Sequence, residues 1–183
     1  MRIIGGRFRH RTIVSPQGEG PRPTTDRTRE AIFNIVVSRL DLDEVAVLDL
    51  FAGSGALGLE AMSRGAGSAV FVDFNPDVLQ VAKENALKLE SDLSCQFARQ
   101  NVFSFLKAQT TGTYGLILAD PPYGLADLEK LTAMVLPLLM ENGLFVLEHD
   151  RKEQLEEHAQ CVVSRVYGKS AVTVYAGGPS DAP

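Results

Sequence analysis

From Val45 onward, apolar runs alternate with segments of helical spacing. The apolar runs predict strands near residues 45–50, 69–73, 94–98, 114–119 and 143–148. The intervening segments predict helices near 55–64, 76–89, 125–139 and 150–158. Asn75-Pro76 is a strong start signal, a capping side chain followed by proline at the first helical position. Gly143 punctuates the chain before the last of these strands. Two further apolar stretches, Cys161–Tyr167 and Ala171–Ala176, flank Gly168-Lys169-Ser170 and read as a closing hairpin. Strand and helix in regular alternation predict an α/β fold with a mostly parallel sheet.

The first forty residues follow another rule. Residues 2–14 read as a short hairpin or arm around Gly5-Gly6, with Arg11 to Val14 returning. Ser15 to Pro23 is a loop by composition. Thr24, Thr25 or Asp26 can then cap a helix whose apolar stripe is Ile32, Ile35, Val36 and Leu40, with Arg27, Glu30 and Asn34 on another face. Such a helix can cover the sheet edge near a ligand site. One domain is expected: a basic arm and loop over 1–23, an α/β core over 24–176 and a disordered polar tail over 177–183.

Net charge changes the picture only when divided along the chain. The total is −5. Residues 1–39 hold eight arginines against three acids, whereas residues 40–183 hold ten lysines and arginines against twenty acids. Arginine pairs bidentately with phosphate and stacks on bases. Arg7, Arg9 and Arg11 around the Gly-Gly turn, with Arg22 and Arg27 beyond, are therefore candidate RNA contacts on a mobile arm. A solvated charged face is the plainer alternative. The two cysteines, Cys95 and Cys161, sit in apolar contexts and read as buried reduced thiols, consistent with a cytoplasmic protein. The three histidines show no metal-ligand spacing, so no metal is expected. No run of eighteen apolar residues is present.

Two motifs carry the chemistry. Asp49-Leu50-Phe51-Ala52-Gly53-Ser54-Gly55-Ala56-Leu57-Gly58 joins a strand to a helix through a glycine turn, which presents backbone N–H groups to an anion. Its Gly-x-Gly-x-x-Gly spacing also matches a dinucleotide site, and Asp73 stands twenty residues after Gly53, where a ribose-binding acid belongs. Asp49, however, would repel a pyrophosphate and welcome an ammonium group. S-adenosylmethionine fits better: Asp49 for its ammonium, glycine amides for its carboxylate, Asp73 for its ribose. The second motif, Asp120-Pro121-Pro122-Tyr123, ends an apolar strand with acceptors and an aromatic face. Those groups suit an exocyclic base amine whose lone pair attacks a methyl group. Asn101-Val102 follows the third strand, where the Asn can cap a short helix over 102–107.

With these motifs in place, the chain resembles the class I S-adenosylmethionine-dependent amino-methyltransferases. Arg2-Ile3-Ile4-Gly5-Gly6-Arg7 and the segment Arg22 to Ile35 narrow the resemblance to the bacterial small-subunit ribosomal RNA guanine-N2 methyltransferases, the RsmD type, over nearly the whole chain to about Tyr175. The resemblance implies a Rossmann-like fold, a seven-stranded sheet with one antiparallel strand, and S-adenosyl-L-methionine as cofactor. It implies a cofactor site formed by Asp49, Phe51, Ala52, Gly53, Ser54, Gly55, Asp73, Phe74, Asn101 and Val102, with a contact to adenine as the other reading of Asn101, and with Asp120, Pro121, Pro122 and Tyr123 as catalytic residues. Ribosomal RNA, within a small-subunit particle, is the implied partner of a monomeric enzyme. Asp-Pro-Pro-Tyr also marks adenine-N6 methyltransferases, so the base stays open at residue 120. An NAD-binding oxidoreductase and a catalytically silent RNA-binding module are the rivals from other classes. If only the ring face of Tyr123 matters, replacement by phenylalanine is expected to be silent.

Overall fold

The computed structural model describes residues 1–15, 25–125 and 127–178. Helix α1 (Asp26–Val37) leads into β1 (Ala46–Leu50), α2 (Ala56–Ser63), β2 (Ser68–Asp73), α3 (Pro76–Leu89) and β3 (Cys95–Arg99). Then follow α4 (Val102–Leu106), β4 (Tyr114–Ala119), α5 (Leu128–Val135), β5 (Leu139–Asp150), β6 (Cys161–Tyr167) and β7 (Ser170–Ala176). Among the described residues the seven strands form one sheet in the order β3-β2-β1-β4-β5-β7-β6. All neighbours run parallel except β7, which is antiparallel to both β5 and β6. This is the Rossmann-like class I arrangement expected from the sequence. Strand order reverses direction between β1 and β4, the position where open α/β sheets leave a ligand crevice beyond the carboxyl ends of their strands.

Alternating side chains divide the core between the two faces. Val47, Leu116, Leu118, Leu144 and Val146 point to the face covered by α1, α2 and α3. Leu48, Leu50, Ile117, Phe145 and Leu147 point to the face covered by α4 and α5. The first face holds an additional layer, since Ile3, Phe8 and Ile13 of the N-terminal segment are buried in it.

That segment is docked, which corrects the expectation of a mobile arm. Residues 1–15 fold back on themselves through a bridge between Arg2 and Thr12. They are then fastened to the core by polar groups of α2 and α3. Glu60 accepts the N–H groups of Ile4 and Gly5, each at 2.8 Å, and the Ser63 hydroxyl donates to the Gly5 carbonyl at 2.6 Å. The Arg7 N–H reaches the Ser63 carbonyl at 2.7 Å. Gly6 has a φ of 74°, and a Cβ there would collide with the Ser63 carbonyl. The Gly-Gly turn is therefore a close backbone approach to the end of α2 rather than a hinge.

Three sequence expectations change at element ends. Helix α3 begins where the Asn75-Pro76 signal predicts and spans the expected 76–89, and Asn75 accepts the Asp77 N–H at 2.9 Å. The helix expected over 125–139 is shorter, because Pro137 has no N–H to continue it and residues Leu136–Leu138 form a 3-10 turn. Strand β5 then starts at Leu139 and passes through Gly143 by way of an irregularity opposite Tyr114 and Leu116. The helix expected over 150–158 is absent. Asp150 instead accepts the Lys152 N–H at 3.0 Å, and Leu155 is the one buried side chain of the segment. A charged stretch with one apolar anchor has no face to pack. The expected loop over 15–23 (beyond Ser15), the Thr24 capping option and the tail beyond Gly178 lie outside the described residues. Cys95 and Cys161 are free thiols, half-buried rather than buried, and burial pushes Cys95 up to about 11.

Candidate active site

Strand register brings the two motifs together. Asp49 pairs with Phe71 of β2 on one side and Leu118 of β4 on the other. The carboxyl ends of β1, β2 and β4 thus lie side by side, and they carry the Asp49 turn, Asp73 and Asp120 respectively. Burial holds the Asp49 carboxyl well above the ordinary carboxylate range, the Gly58 N–H opposes this, and the negative charges of Asp120 and Asp73 add to it. Residues far apart in sequence therefore share one acidic crevice.

Within the glycine turn each polar group has a defined partner. Phe51 leaves β1 with a φ of 57°, which sends the chain outward from the sheet. The Ala52 N–H donates to the Val72 carbonyl at 3.1 Å, and the Gly55 N–H to the Ala52 carbonyl at 2.8 Å. The Asp73 carboxylate accepts the Gly53 N–H at 3.0 Å and the Asn75 N–H at 2.8 Å. Asp49 lies beneath the turn, 1% exposed, and accepts the Gly58 N–H at 2.8 Å. A Cβ at Gly58 would strike the Phe71 ring, so glycine there lets α2 pack onto β2.

These bonds revise two expectations. Asp49 is placed under the turn, not on its open side, so it organises the loop from below through the Gly58 N–H. The N–H groups of Gly53 and Gly55 are consumed internally. Those of Ser54, Ala56 and Leu57 have no acceptor among the described residues, and the latter two are the unpaired amides at the start of α2. Ser54 is itself buried, and its carbonyl accepts an Asn85 Nδ2–H at 3.0 Å. Phe74 is the most exposed of the large apolar residues, at 74%, just beyond Asp73. Asn101 caps α4 by accepting the Ser104 N–H at 3.2 Å, the plainer of its two readings, and Val102 is buried beside it.

Asp120-Pro121-Pro122-Tyr123 follows β4 at the same edge. Pro121 is buried, whereas Pro122 and Tyr123 are exposed. The Pro122 carbonyl accepts the Leu125 N–H at 3.1 Å and closes the turn. No backbone N–H among the described residues takes the Pro121 carbonyl, which leaves it as an acceptor beside Asp120.

The sequence matches the family described as Conserved hypothetical protein 95 over residues 1–176. "Ribosomal RNA small subunit methyltransferase D" of Escherichia coli (strain K12) is 38% identical over 143 residues, spanning 78% of this chain and 68% of that one. The chain belongs to this RsmD family. A relative in Bacillus subtilis (strain 168), "Putative rRNA methyltransferase YlbH", is 37% identical over 183 residues, spanning 96% of this chain and 98% of that one. Among solved structures, "Putative methyltransferase yhhF from Escherichia coli" superposes with a TM-score of 0.84 at 32% identity, covering 98% of this chain and 99% of the other.

In this RsmD-family member the candidate RNA contacts separate into two groups. Arg7 pairs with Glu90 at 2.9 Å, and Arg11 donates to the Leu89 and Lys88 carbonyls at the end of α3. A cation capping helix carbonyls is a structural use, so both arginines fasten the segment while staying exposed on its surface. Arg9 and Arg27 are exposed, with no ion pair or side-chain hydrogen bond among the described residues. Arg22 lies outside the described residues.

Several site-shaping residues went unread in the sequence. Arg29 is fully buried, donates to the Arg2 carbonyl at 2.6 Å and to Asp26 at 2.8 Å, and lies 4.0 Å from the buried Glu60. Its position three residues before Ile32 and seven before Val36 puts it on the apolar stripe, a signal that was available. Asn85 is also buried and joins the Val14 backbone to the glycine turn through Ser54. Ser170 accepts from or donates to the Tyr123 hydroxyl at 2.7 Å, a contact no local pattern announces.

Among the described residues no group of acids, histidines and cysteines is arranged to hold a metal ion, and no helix is long and apolar enough to cross a membrane.

Proposed function

We propose that this protein methylates the exocyclic N2 amine of one guanine in small-subunit ribosomal RNA. The observation that carries the reading is the meeting of Asp49, Asp73 and Asp120 at the carboxyl ends of three adjacent strands, with Tyr123 beside them. Three carboxylates around a glycine turn suit a cationic ligand and oppose the pyrophosphate of NAD. The cofactor is S-adenosyl-L-methionine, which supplies an electrophilic methyl group on a cationic sulfur and leaves as a neutral thioether.

The residues present fit that group. The amides of Ser54, Ala56 and Leu57 at the start of α2 would hold its carboxylate. Asp73, with acceptor capacity beyond its two backbone bonds, would take the ribose hydroxyls. Phe74 and Asn101 would flank the adenine. Asp49 and Asp120 supply negative charge on the side of the ammonium and sulfonium.

Asp120 and the Pro121 carbonyl would accept the two N–H hydrogens of the base amine and turn its lone pair toward the methyl group. Such positioning for in-line attack is worth up to roughly 7–11 kcal/mol. The same acceptors would stabilise the charge that grows on nitrogen as the N–C bond forms and the S–C bond breaks, and the cationic amine would then lose one proton to water. A base inside a helix cannot reach this crevice, so the target is unpaired or flipped out, with its face on Tyr123. Among the described residues, Arg9 and Arg27 are exposed cations without a side-chain partner, and they would meet phosphate. The guanine assignment is supported by the likeness of Arg2–Arg7 and Arg22–Ile35 to the RsmD type.

The experiment is incubation with labelled S-adenosylmethionine and ribosomal subunits from cells lacking this protein. Label is expected in the RNA of the small subunit. Label confined to the large subunit, to DNA or to protein would overturn the reading.

A further inference from the structure

Tyr123 and Ser170 are forty-seven positions apart in the chain, yet their oxygens are 2.7 Å apart. Their settings differ sharply. Tyr123 stands in a turn beyond β4, more than half exposed, and forms a wall of a groove with Pro122, Leu128, His149 and Asp150. Ser170 is 9% exposed and opens β7. It is paired with Asp150 of β5 on one side and with Tyr167 of β6 on the other. The preceding turn is also tied down, as the Arg151 N–H donates to the Lys169 carbonyl at 3.1 Å. Ser170 is therefore a fixed point of the sheet, and the Tyr123 hydroxyl is moored to it.

We propose that Ser170 is a positioning residue for the target base, acting through Tyr123. The Pro121-Pro122 pair limits the backbone of the turn, which leaves the two side-chain torsions of Tyr123 as its main freedom. A bond at the far end of the ring fixes both torsions while leaving the ring faces open. An extruded base then meets a preset platform instead of having to order it, and preorganisation of this kind shows itself in binding. The bond also gives the phenolic oxygen a role, so Tyr123→Phe is not silent, contrary to the expectation from the ring face alone. The inference rests on the reading of Tyr123 as the surface that receives the base.

The test compares steady-state methylation of small subunits from cells lacking this protein by the full-length chain and four variants. Ser170→Ala is expected to raise KM for the particle about three- to tenfold, the range of one net hydrogen bond, with kcat and cofactor affinity retained. Tyr123→Phe breaks the same bond from the exposed side, needs no change in the sheet, and should match it. The double variant Ser170→Ala/Tyr123→Phe should be no worse than either single change, and Ser170→Thr should restore the wild-type KM. A wild-type KM in Tyr123→Phe, or additive losses in the double variant, overturns the role of Ser170. A fifth variant, Tyr123→Ala, separates the two levels. If it loses activity while Tyr123→Phe does not, the positioning role alone fails; if it methylates with wild-type KM, the stacking reading fails and takes this proposal with it.

Discussion

Asp73 holds the Gly53 N–H at 3.0 Å, so the acid proposed to receive the ribose also shapes the turn proposed to receive the amino-acid end. Two proposed binding determinants are thereby joined in one carboxylate. Asp73→Ala should weaken S-adenosylmethionine by at least the value of one hydrogen bond to a charged group, about 1.5–3 kcal/mol, and by more if the turn relaxes. Asp73→Asn keeps one acceptor oxygen and should lose less. Titration calorimetry on the folded variants checks this, and unchanged affinity in Asp73→Ala would remove Asp73 from the site.

Asp49 gives the site a pH dependence of defined sign. Burial foremost, then the charges of Asp120 and Asp73, hold its carboxyl above the ordinary carboxylate range against the opposing Gly58 N–H. The folded chain therefore keeps a proton that the unfolded chain has lost, and stability falls as pH rises from the ordinary range toward the folded-state value. A cationic ligand favours the ionised form and releases the proton in the same window. Affinity for S-adenosylmethionine should rise with pH there and then level off. S-adenosylhomocysteine, without the sulfonium charge, should rise less. A ratio of the two affinities that does not vary with pH contradicts the account.

The N-terminal segment should behave as part of the core. Ile3, Phe8 and Ile13 are buried, each worth about 1.5–3 kcal/mol. Deleting residues 1–14 is predicted to lower the unfolding temperature strongly and to weaken cofactor binding, because Val14 and the Ser54 turn share Asn85. Arg9→Ala and Arg27→Ala should leave stability unchanged and lower RNA affinity. Each should reduce the slope of log affinity against log salt by about one unit. Equal slopes in wild type and variants would make both arginines a solvated surface.

Glu60 is the fastening point of that segment, holding Ile4, Gly5 and Arg64 by hydrogen bonds and facing Arg29. Glu60→Gln takes away the charge facing Arg29 and Arg64 but leaves Arg29 its Asp26 partner, so the loss falls below the about 3–5 kcal/mol of a wholly uncompensated buried charge. The variant should still show a lower urea midpoint. A midpoint within error of wild type would mean that Asp26 alone compensates Arg29 and that Glu60 is not the fastening point.

At the chemical centre, Asp120→Ala should slow single-turnover methylation by roughly two to three orders of magnitude, comparable to losing one preorganised group at a developing charge. Saturating cofactor in both proteins isolates the step. A wild-type rate would place the amine elsewhere.

Much of this was legible in the sequence because local rules and global fold agree. Apolar runs from Val45 to Leu50 and from Tyr114 to Ala119 became the central parallel strands, and Asn75-Pro76 fixed the start of α3. The glycine turn and Asp73 met because strand spacing demands it. What stayed hidden depends on contacts between distant segments. Residues 150–158 have helix-forming composition but no apolar face, so propensity misled there. Arg7 and Arg11 looked like free cations because their partners, Glu90 and the α3 carbonyls, lie far along the chain. Ser170 carried no signal at all, since its meeting with Tyr123 is set by the antiparallel placement of β7.

The identity of the methylated atom is decided most directly by the product nucleoside. Small-subunit RNA labelled by this enzyme, digested to nucleosides and resolved by mass spectrometry, is predicted to yield N2-methylguanosine at a single position, absent when Asp120→Ala is used. N6-methyladenosine in its place, or label that Asp120→Ala leaves undiminished, would contradict the account.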